Sequence, residues 1–599
     1  MNDDFLMNDD FQSVEKLTKQ GIFILYGSKK YCNKLYFQYS LKQSFGDISI
    51  ILYPLSKILK SSVATIGNNI GNYVKKELKG KVNFSVVQGF LNFFLGDNYY
   101  FLLLKQMLNY KFYDVKISSK TIMVEYSSPN TNKPLHIGHI RNSLIGESIS
   151  KILKTVGYNV KKVQIINDRG IHISKSMAAW IKFGNNQTPK KMKMKGDHFV
   201  GTYYRLFEKI NGENGITTYF KDNKTNESND DMMKLARSLL IKWEYGDDKI
   251  MKIWKMMNGW VYDGFKETYK KLGIHFDHIE YESKIYNFGK KIVQEGVKNG
   301  VFVKQQDGSI WIDLTKDGFD KKLLLRADQT SVYITQDIGT AINRFKIYNL
   351  DKLIYIVGKE QEYHFQVLFK ILKKLGYKWV NKLIHLSYEM VVLPEGKMKS
   401  RIGNVIEADK FISEMIFFSK TSYLKRKNSK IMNEQDQIKY FEVLGLGAIK
   451  YYFLQIDPKK QIIFHPEKSI DFKGKTALYI QYTYSRIRSI EKKFFDYCLL
   501  IKYENLLNVK FDIYEKNMIK IMYQYPVILK KSATELNPSI LANYVYHVSK
   551  IFNNFYQKKK ILNPSNIPYS NMCINIIHVA GNILKYIMNL LGIQVIDYI

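Results

Sequence analysis

The stretch Asn132-Lys133-Pro134-Leu135-His136-Ile137-Gly138-His139-Ile140-Arg141-Asn142, NKPLHIGHIRN, sets two imidazoles three residues apart around a glycine. Upstream, KTIMVEY (Lys120–Tyr126) reads as a strand. Downstream, Ile140, Leu144, Ile145, Ile149, Ile152, Leu153 and Val156 keep helical spacing up to Gly157, a fitting residue just past a helix end. A second strand, KKVQIIN, follows. The order strand, loop, helix, strand predicts one βαβ unit with the histidines at the carboxyl end of its first strand, where doubly wound sheets hold their ligands. A helix N-terminus attracts phosphate through its free N–H groups and dipole. Gly138, lacking a Cβ, lets a planar ring lie close to the backbone. His136 and His139 can then donate to oxygens of a phosphate that gathers charge during substitution, which is electrostatic catalysis of nucleotidyl transfer.

The rest of the chain is large enough to serve such a site. Its 599 residues, 45% apolar and 14% aromatic, predict three or more cores. Cys32, Cys498 and Cys573 lie far apart and form no C-x-x-C pair, which excludes a disulfide framework and a zinc ribbon and fits a reducing compartment. The start MNDDFLMNDDFQS is acidic and unlike a signal peptide, and no apolar run reaches the ~18 residues of a membrane span. A soluble cytoplasmic protein is expected. The repeated MNDDF has no functional reading.

A net charge of +36 points to a polyanionic partner such as nucleic acid. Only 10 of the 91 basic residues are arginine, and the lysine, asparagine, isoleucine and tyrosine excess is a composition bias that inflates the charge. In such a chain an arginine marks a place that needs a planar fork or a permanent charge. Arg141, Arg169, Arg326, Arg344, Arg401, Arg486 and Arg488 are the ones that fall near the motifs.

From about residue 10 to 115, apolar runs such as GIFILYG and NFSVVQGFLNFFLG alternate with lysine-rich helical segments, which predicts a small α+β domain. Residues from about 184 to 320 break the βα rhythm and read as an insertion. Strand–helix alternation resumes with SVYITQDIGTAINRF, KLIYIVGKEQEYHFQVLFKILKKLG and LIHLSYEMVVLPEGKMKSRIG, the second half of the same sheet. Beyond about residue 410 the pattern is helical. The domains expected are 1–115, 116–465 carrying the insertion, and 466–599.

The second motif is PEGKMKSRIGNV, a basic turn at the end of the sheet's other half, able to bring Lys397, Lys399 and Arg401 onto a triphosphate. A histidine pair of this form together with such a loop resembles the class I aminoacyl-tRNA synthetases. The blocks VEYSSPNTNKPLHIGHIRNSLIGESI, NDRGIHISKSM, YITQDIGTAINRF, GKEQEYHFQ, LGLGAIKYYFL and SIDFKGKTALYIQYTYSRIRSI resemble the arginyl-tRNA synthetase family.

The resemblance implies an α/β fold: a split Rossmann-type catalytic domain with an inserted connective domain, an N-terminal domain that contacts tRNA, and an all-α anticodon-binding bundle. It implies ATP as substrate, with Mg²⁺ accompanying the nucleotide, and L-arginine and tRNA(Arg) as partners. It also implies a monomer and a need for tRNA during activation. No protein-bound metal is expected.

Carried residue by residue, the resemblance places Pro129, Asn130, His136, Gly138, His139, Lys397, Lys399 and Ser400 on ATP, with His136, His139, Lys399 and Lys133 as the catalytic set. Glu125, Ser128, Asn130, Tyr333, Asp337 and Gln361 fall on the arginine pocket. The chemistry fits, because a guanidinium suits a bidentate carboxylate such as Asp337 or Glu125, and Tyr333 offers a face or a hydroxyl beside it. Lysine cannot satisfy that fork.

Two departures stand out. Gly396 holds the first loop position, where class I enzymes usually carry lysine, and Lys133 is a substitute contact for phosphate. QGFLNF stands where the family usually shows PGFINF, which bears on turn geometry and not on chemistry. Arg486 and Arg488, two apart, cannot share a helix face. Tyr544, Phe552, Phe555 and Tyr556 suit core packing better than base stacking. The rival readings are a class I synthetase of another specificity, a nucleotidylyltransferase without the tRNA step, and a tRNA-binding paralogue with impaired catalysis.

Overall fold

The structure is a computed structural model that describes residues 9–27, 31–32, 35, 37–39, 46–79, 82–110, 118–211, 229–392, 406–424, 433–497 and 510–597. At the N-terminal end, helix α1 (Asp9–Tyr26) precedes strands β1 (Phe37–Tyr39) and β2 (Ile48–Ile51). Helices α2 (Tyr53–Leu59) and α3 (Val63–Glu77), the hairpin β3 (Val82–Val87) and β4 (Phe90–Leu95), and helix α4 (Asp97–Leu108) follow. The four strands pair antiparallel in the order β1-β2-β4-β3. Between β3 and β4 stand Gln88 (φ +48) and Gly89 (φ +87), both left-handed, as a two-residue hairpin turn that follows the strand twist demands. Proline, locked near about −65°, could not hold Gln88's angle. The departure QGFLNF therefore has a geometric consequence, and glutamine is compatible with it.

The next unit begins with β5 (Thr121–Glu125), α5 (Ile137–Thr155), β6 (Asn159–Ile166) and α6 (Ile171–Phe183). Helices α7 (Gly196–Asn211), α8 (Asn229–Glu244) and α9 (Asp248–Leu272) come before β7 (His278–Tyr281) and α10 (Phe288–Lys298). A small antiparallel sheet, β8 (Val303–Lys304), β9 (Ile310–Ile312) and β10 (Lys322–Leu325), leads to α11 (Tyr333–Tyr348). Then come β11 (Lys352–Gly358), α12 (Glu362–Lys374), β12 (Leu383–Tyr388), β13 (Val391–Val392), α13 (Ala408–Leu424), α14 (Glu434–Leu454) and β14 (Ile462–Ile463).

The main sheet is parallel with the order β12-β11-β5-β6-β7. Ile122, Met123 and Val124 are buried in succession, as are Leu353, Ile354, Tyr355 and Ile356, because helices cover both faces. The predicted βαβ unit is present as β5, α5 and β6, with Gly157 at φ +97 beyond the helix. From β5 the chain moves outward one way through β6 to β7, then returns to build β11 and β12 on β5's other side. The gap above β5 and β11 is thus a topological switch point, the usual ligand crevice of such sheets.

Two expectations need correction. The stretch from 184 to 320 is not wholly an insertion, because β7 pairs in parallel with β6 and belongs to the main sheet. Its sequence, HIEY, is a four-residue edge strand with no apolar run, so periodicity could not find it. SVYITQDIGTAINRF supplies no strand of that sheet: it turns helical at Tyr333, and the strands before it are the antiparallel β8 to β10.

The remaining helices are α15 (Ala477–Tyr497), α16 (Ile513–Tyr523), α17 (Tyr525–Thr534), α18 (Ser539–Lys558) and α19 (Ile567–Leu590). Together with the N-terminal α+β layer they fall in one compact unit. Lys516 reaches Asp97 at 2.7 Å and Lys520 reaches Asp47 at 2.5 Å, joining the two ends of the chain. Tyr544, Phe552 and Phe555 are core residues, whereas Tyr556 is 40% exposed. Arg486 lies over the rings of Tyr482 and Tyr556 and bonds Asn553, and Arg488 pairs with Glu491.

Candidate active site

A cavity of about 410 Å³ opens at the switch point. One wall is Ser128, Lys133, His136, Gly138, His139, Arg141 and Asn142, from the loop after β5 and the start of α5. The other is Ile356, Val357, Gly358, Glu360, Tyr388, Met390 and Val391, from the carboxyl ends of β11 and β12 and from β13.

His136 stands in extended backbone before α5. Its Nδ1 accepts the Gly138 N–H at 3.1 Å, and the Nδ1 of His139 accepts the His136 backbone N–H at 3.1 Å. The two rings thus serve as a reciprocal cap for donors that the helix leaves without partners. A nitrogen that accepts carries no proton, so each neutral ring holds its hydrogen on Nε2. Burial, assisted by the Lys133 ammonium, lowers His136 to about 4. Burial and the charges of His136 and Lys133 hold His139 well below the ordinary histidine range. Near neutral pH the site therefore offers two uncharged Nε2–H donors on rings whose centroids are 3.8 Å apart. A Cβ on residue 138 would stand 3.0 Å from His136 Cε1, tighter than nine in ten real contacts, so any larger residue there would push on the ring.

Of the other residues predicted for the nucleotide, Lys133 lines the cavity, and burial lowers its pKa. Pro129 is buried; its carbonyl accepts the Asn167 N–H at 3.0 Å, and Asn130 pairs with Asn167 in a parallel bridge. Neither lines the cavity. Lys397, Lys399 and Ser400, with Arg401 and Gly396, lie outside the described residues. The described chain reaches Val392 on β13 and resumes at Ile406, whose carbonyl accepts the Ile137 N–H at 3.2 Å. Glu407 bridges His136, and the Ala408 N–H donates to Leu135 O at 2.8 Å.

For the arginine pocket, Ser128 lines the cavity, while Glu125, Asn130, Tyr333, Asp337 and Gln361 are not among its lining residues. Glu125, buried at the end of β5, gives Oε2 to Nη1 of Arg344. Arg344 is also buried and reaches Glu280 with Nη2 at 2.7 Å and Nε at 3.2 Å. Burial opposes its charge, but Glu125 and Glu280 outweigh burial and raise its pKa. Asp337 faces Glu125 closely enough for its charge to act there, and its Oδ2 lies 2.6 Å from His364 Nε2. Tyr333 is 71% exposed at the start of α11, and Gln361 is exposed just before α12.

Sequence reasoning assigned no role to several residues that shape this site. Asn142 accepts from Ser127 N–H at 2.6 Å and donates from Nδ2 to Ile356 O at 2.7 Å, tying β5's exit to β11 across the crevice. Ser127 sits at φ +59, a strained angle for a non-glycine, and this bond together with one to the Tyr269 hydroxyl at 2.7 Å holds it. Arg141 spends its fork on the carbonyls of Glu389, Met390 (3.2 Å), Pro458 (3.2 Å) and Lys460 (2.7 Å), and burial lowers its pKa to about 10. The available signal was an amide and an arginine on a buried helix face. Glu360 and His364 fall within the block GKEQEYHFQ, of which Gln361 alone was given a role, and Tyr388 had no such signal.

Residues 103–465 match the family described as tRNA synthetases class I (R), catalytic domain, and residues 480–599 match the DALR anticodon binding domain. With a split parallel sheet and paired imidazole donors at its switch point, the fold is that of a class I aminoacyl-tRNA synthetase. The arginine–tRNA ligase of Flavobacterium psychrophilum is 44% identical over 582 residues, 94% of this chain and 95% of that protein. That of Parabacteroides distasonis is 42% identical over 580 residues, 96% of this chain and 97% of its own. The arginyl-tRNA synthetase structure of Thermus thermophilus, 20% identical, superimposes with a TM-score of 0.74 over 98% of this chain and 100% of that one. The chain belongs to the arginyl-tRNA synthetase family, enzymes that use ATP to join arginine to tRNA. Among the described residues no helix is long and apolar enough to cross a membrane.

Proposed function

We propose that the cavity at the switch point activates L-arginine and passes it to the terminal adenosine of tRNA(Arg) in two steps. The arginine carboxylate attacks the α-phosphate of ATP, which enters as its Mg²⁺ complex; the P–O bond to diphosphate breaks, and arginyl-adenylate remains. A terminal-adenosine hydroxyl of tRNA then attacks the adenylate's carbonyl, releasing AMP.

One observation carries the assignment of catalytic roles: the reciprocal Nδ1 bonds of His136 and His139 leave both rings as neutral Nε2–H donors beside the same cavity. Such donors are oriented before the substrate arrives, so they stabilise charge on the phosphate without reorganising. Lys133, lining the same wall, adds a cation, and Lys399 with Lys397 and Ser400 supplies the loop's contribution. Asp337 selects the amino acid through its carboxylate, with Tyr333, Gln361, Asn130 and Ser128 around the substrate. Glu125 contributes to the pocket's negative field while holding Arg344. Pro129, Asn130 and Gly138 complete the proposed nucleotide contacts, and of these Gly138 lines the cavity.

The test is aminoacylation of total tRNA with each of the twenty labelled amino acids. Arginine alone should be transferred, and only with ATP. Charging with another amino acid, or none with arginine, would overturn the reading.

A further inference from the structure

Helix α7, in the inserted region, carries His198, Gly201 and Arg205 at spacings that place them on one helical face. All three meet residues of the two segments that flank the catalytic histidines, Lys133–Pro134 and Glu407–Asp409. A Cβ on Gly201 would lie 2.7 Å from Pro134 Cδ and 3.6 Å from the Lys133 Cα, so the helix presses directly on the residues before His136. His198 stands between two carboxylates of the segment that pairs with His136, its Nδ1 3.1 Å from Glu407 and its Nε2 2.8 Å from Asp409. Arg205 takes the other oxygen of Glu407 at 2.9 Å.

Lys195 completes the cluster, 2.7 Å from Asp409, 3.2 Å from Asp197 and 2.6 Å from the Thr268 hydroxyl, which itself donates to Asp409 at 3.1 Å. The donor atoms of Asp197, His198 and Asp409 gather within 4.8 Å as a metal set would. The Lys195 ammonium already stands among the carboxylates, and the cluster is closed by the protein's own cations.

We infer that this face of α7 positions the catalytic histidines. Gly201 fixes the approach of Lys133 and Pro134 from one side. His198 and Arg205, acting through Glu407, fix the backbone that pairs with Leu135, His136 and Ile137 from the other. None of the three touches the cavity, so they are positioning residues. The inference rests on the proposed role of His136 and His139. With both nitrogens facing carboxylates, His198 is held protonated: bonds to Asp409 and Glu407 outweigh burial and raise it to about 9.

The experiment measures steady-state arginylation, with kcat and the KM for arginine and for ATP, alongside thermal unfolding, for His198→Gln, Gly201→Ala and Arg205→Gln. A displaced donor pair should lower kcat ~10-fold in the first two variants, while the KM for arginine stays within about twofold. Arg205 is largely exposed, so Arg205→Gln folds regardless and should lose about two- to threefold. Glu407→Gln combined with His198→Gln should cost little more than either alone, because both act through one contact. Full kcat in folded His198→Gln and Gly201→Ala, a rise in KM for arginine in place of the kcat loss, or additive losses in the double variant would overturn the inference. His139→Ala separates the two readings. If it slows turnover ~10²-fold while the α7 variants stay fully active, only the positioning role falls; if it too is fully active, the proposed role of the histidines falls.

Discussion

The two sides of the proposed site are built on different physical terms. On the imidazole side, the bonds that set the tautomers lie within four residues: His136 and His139 cap one helix and each other, and burial together with the nearby Lys133 charge keeps both rings neutral. On the carboxylate side, Glu125 and Asp337 come from separate elements, and what each can offer depends on a neighbour far away in sequence. Arg344 occupies an oxygen of Glu125, and His364 bonds one of Asp337. A local motif announces its own chemistry, whereas a carboxylate's is set by whatever packs beside it.

That contrast can be broken most directly at Asp337. Asp337→Asn keeps the shape but removes the charge that a guanidinium needs, so kcat/KM for arginine should fall ~10⁴-fold while ATP affinity changes little. An unchanged kcat/KM for arginine would move selectivity elsewhere. Arg344→Met tests whether the Glu125 side is held by its internal cation. Two carboxylates, Glu125 and Glu280, would be left facing one another in a buried site, and unfolding should become easier by about 3–5 kcal/mol. Denaturant titration measures this, and a loss under 1 kcal/mol would mean the pair adds little. On the imidazole side, His139→Ala removes one oriented donor and should slow single-turnover adenylation by ~10²-fold, with near-normal rates refuting its role.

These residues also show what was legible in the sequence. The βαβ unit and the histidine motif could be read because helical period and the Gly157 stop both act over short distances. Of the arginines that the lysine-rich composition singled out, Arg141, Arg344 and Arg169 stand at special sites, though their kind was not legible. Arg141 binds carbonyls, Arg344 binds two carboxylates, and Arg169 lies 4.0 Å from the Tyr286 ring centroid while pairing with Glu244 at 2.8 Å. All three use a planar fork internally. Strand β7 was missed because a short edge strand carries no apolar run. The α7 cluster was missed because Lys195, His198, Arg205, Glu407 and Asp409 meet only after some two hundred residues of chain have folded back.

The smallest expected effect is also the sharpest discriminator between histidines. Unfolded imidazoles titrate near about 6.5. In the folded chain His136 is lowered to about 4 and His139 lies well below its ordinary range, so neither gains a proton between pH 6 and 8, and kcat/KM for ATP should show no limb there from these rings. For groups so depressed, the unfolded state binds protons that the native state refuses. Stability therefore declines as pH falls from about 6.5 toward 4, and above that window the two rings contribute no pH dependence. His198 has the opposite sign: raised to about 9 by Asp409 and Glu407, it adds stability that is full below about 6.5 and is lost as pH climbs through 9. Denaturant titrations across pH read both limbs, and His198→Gln should remove the alkaline one alone. A limb in kcat/KM for ATP that is lost as pH rises through about 6.5, and is absent from His136→Gln, would mean that the ring acts as an imidazolium, and the neutral-donor account of this site would fail.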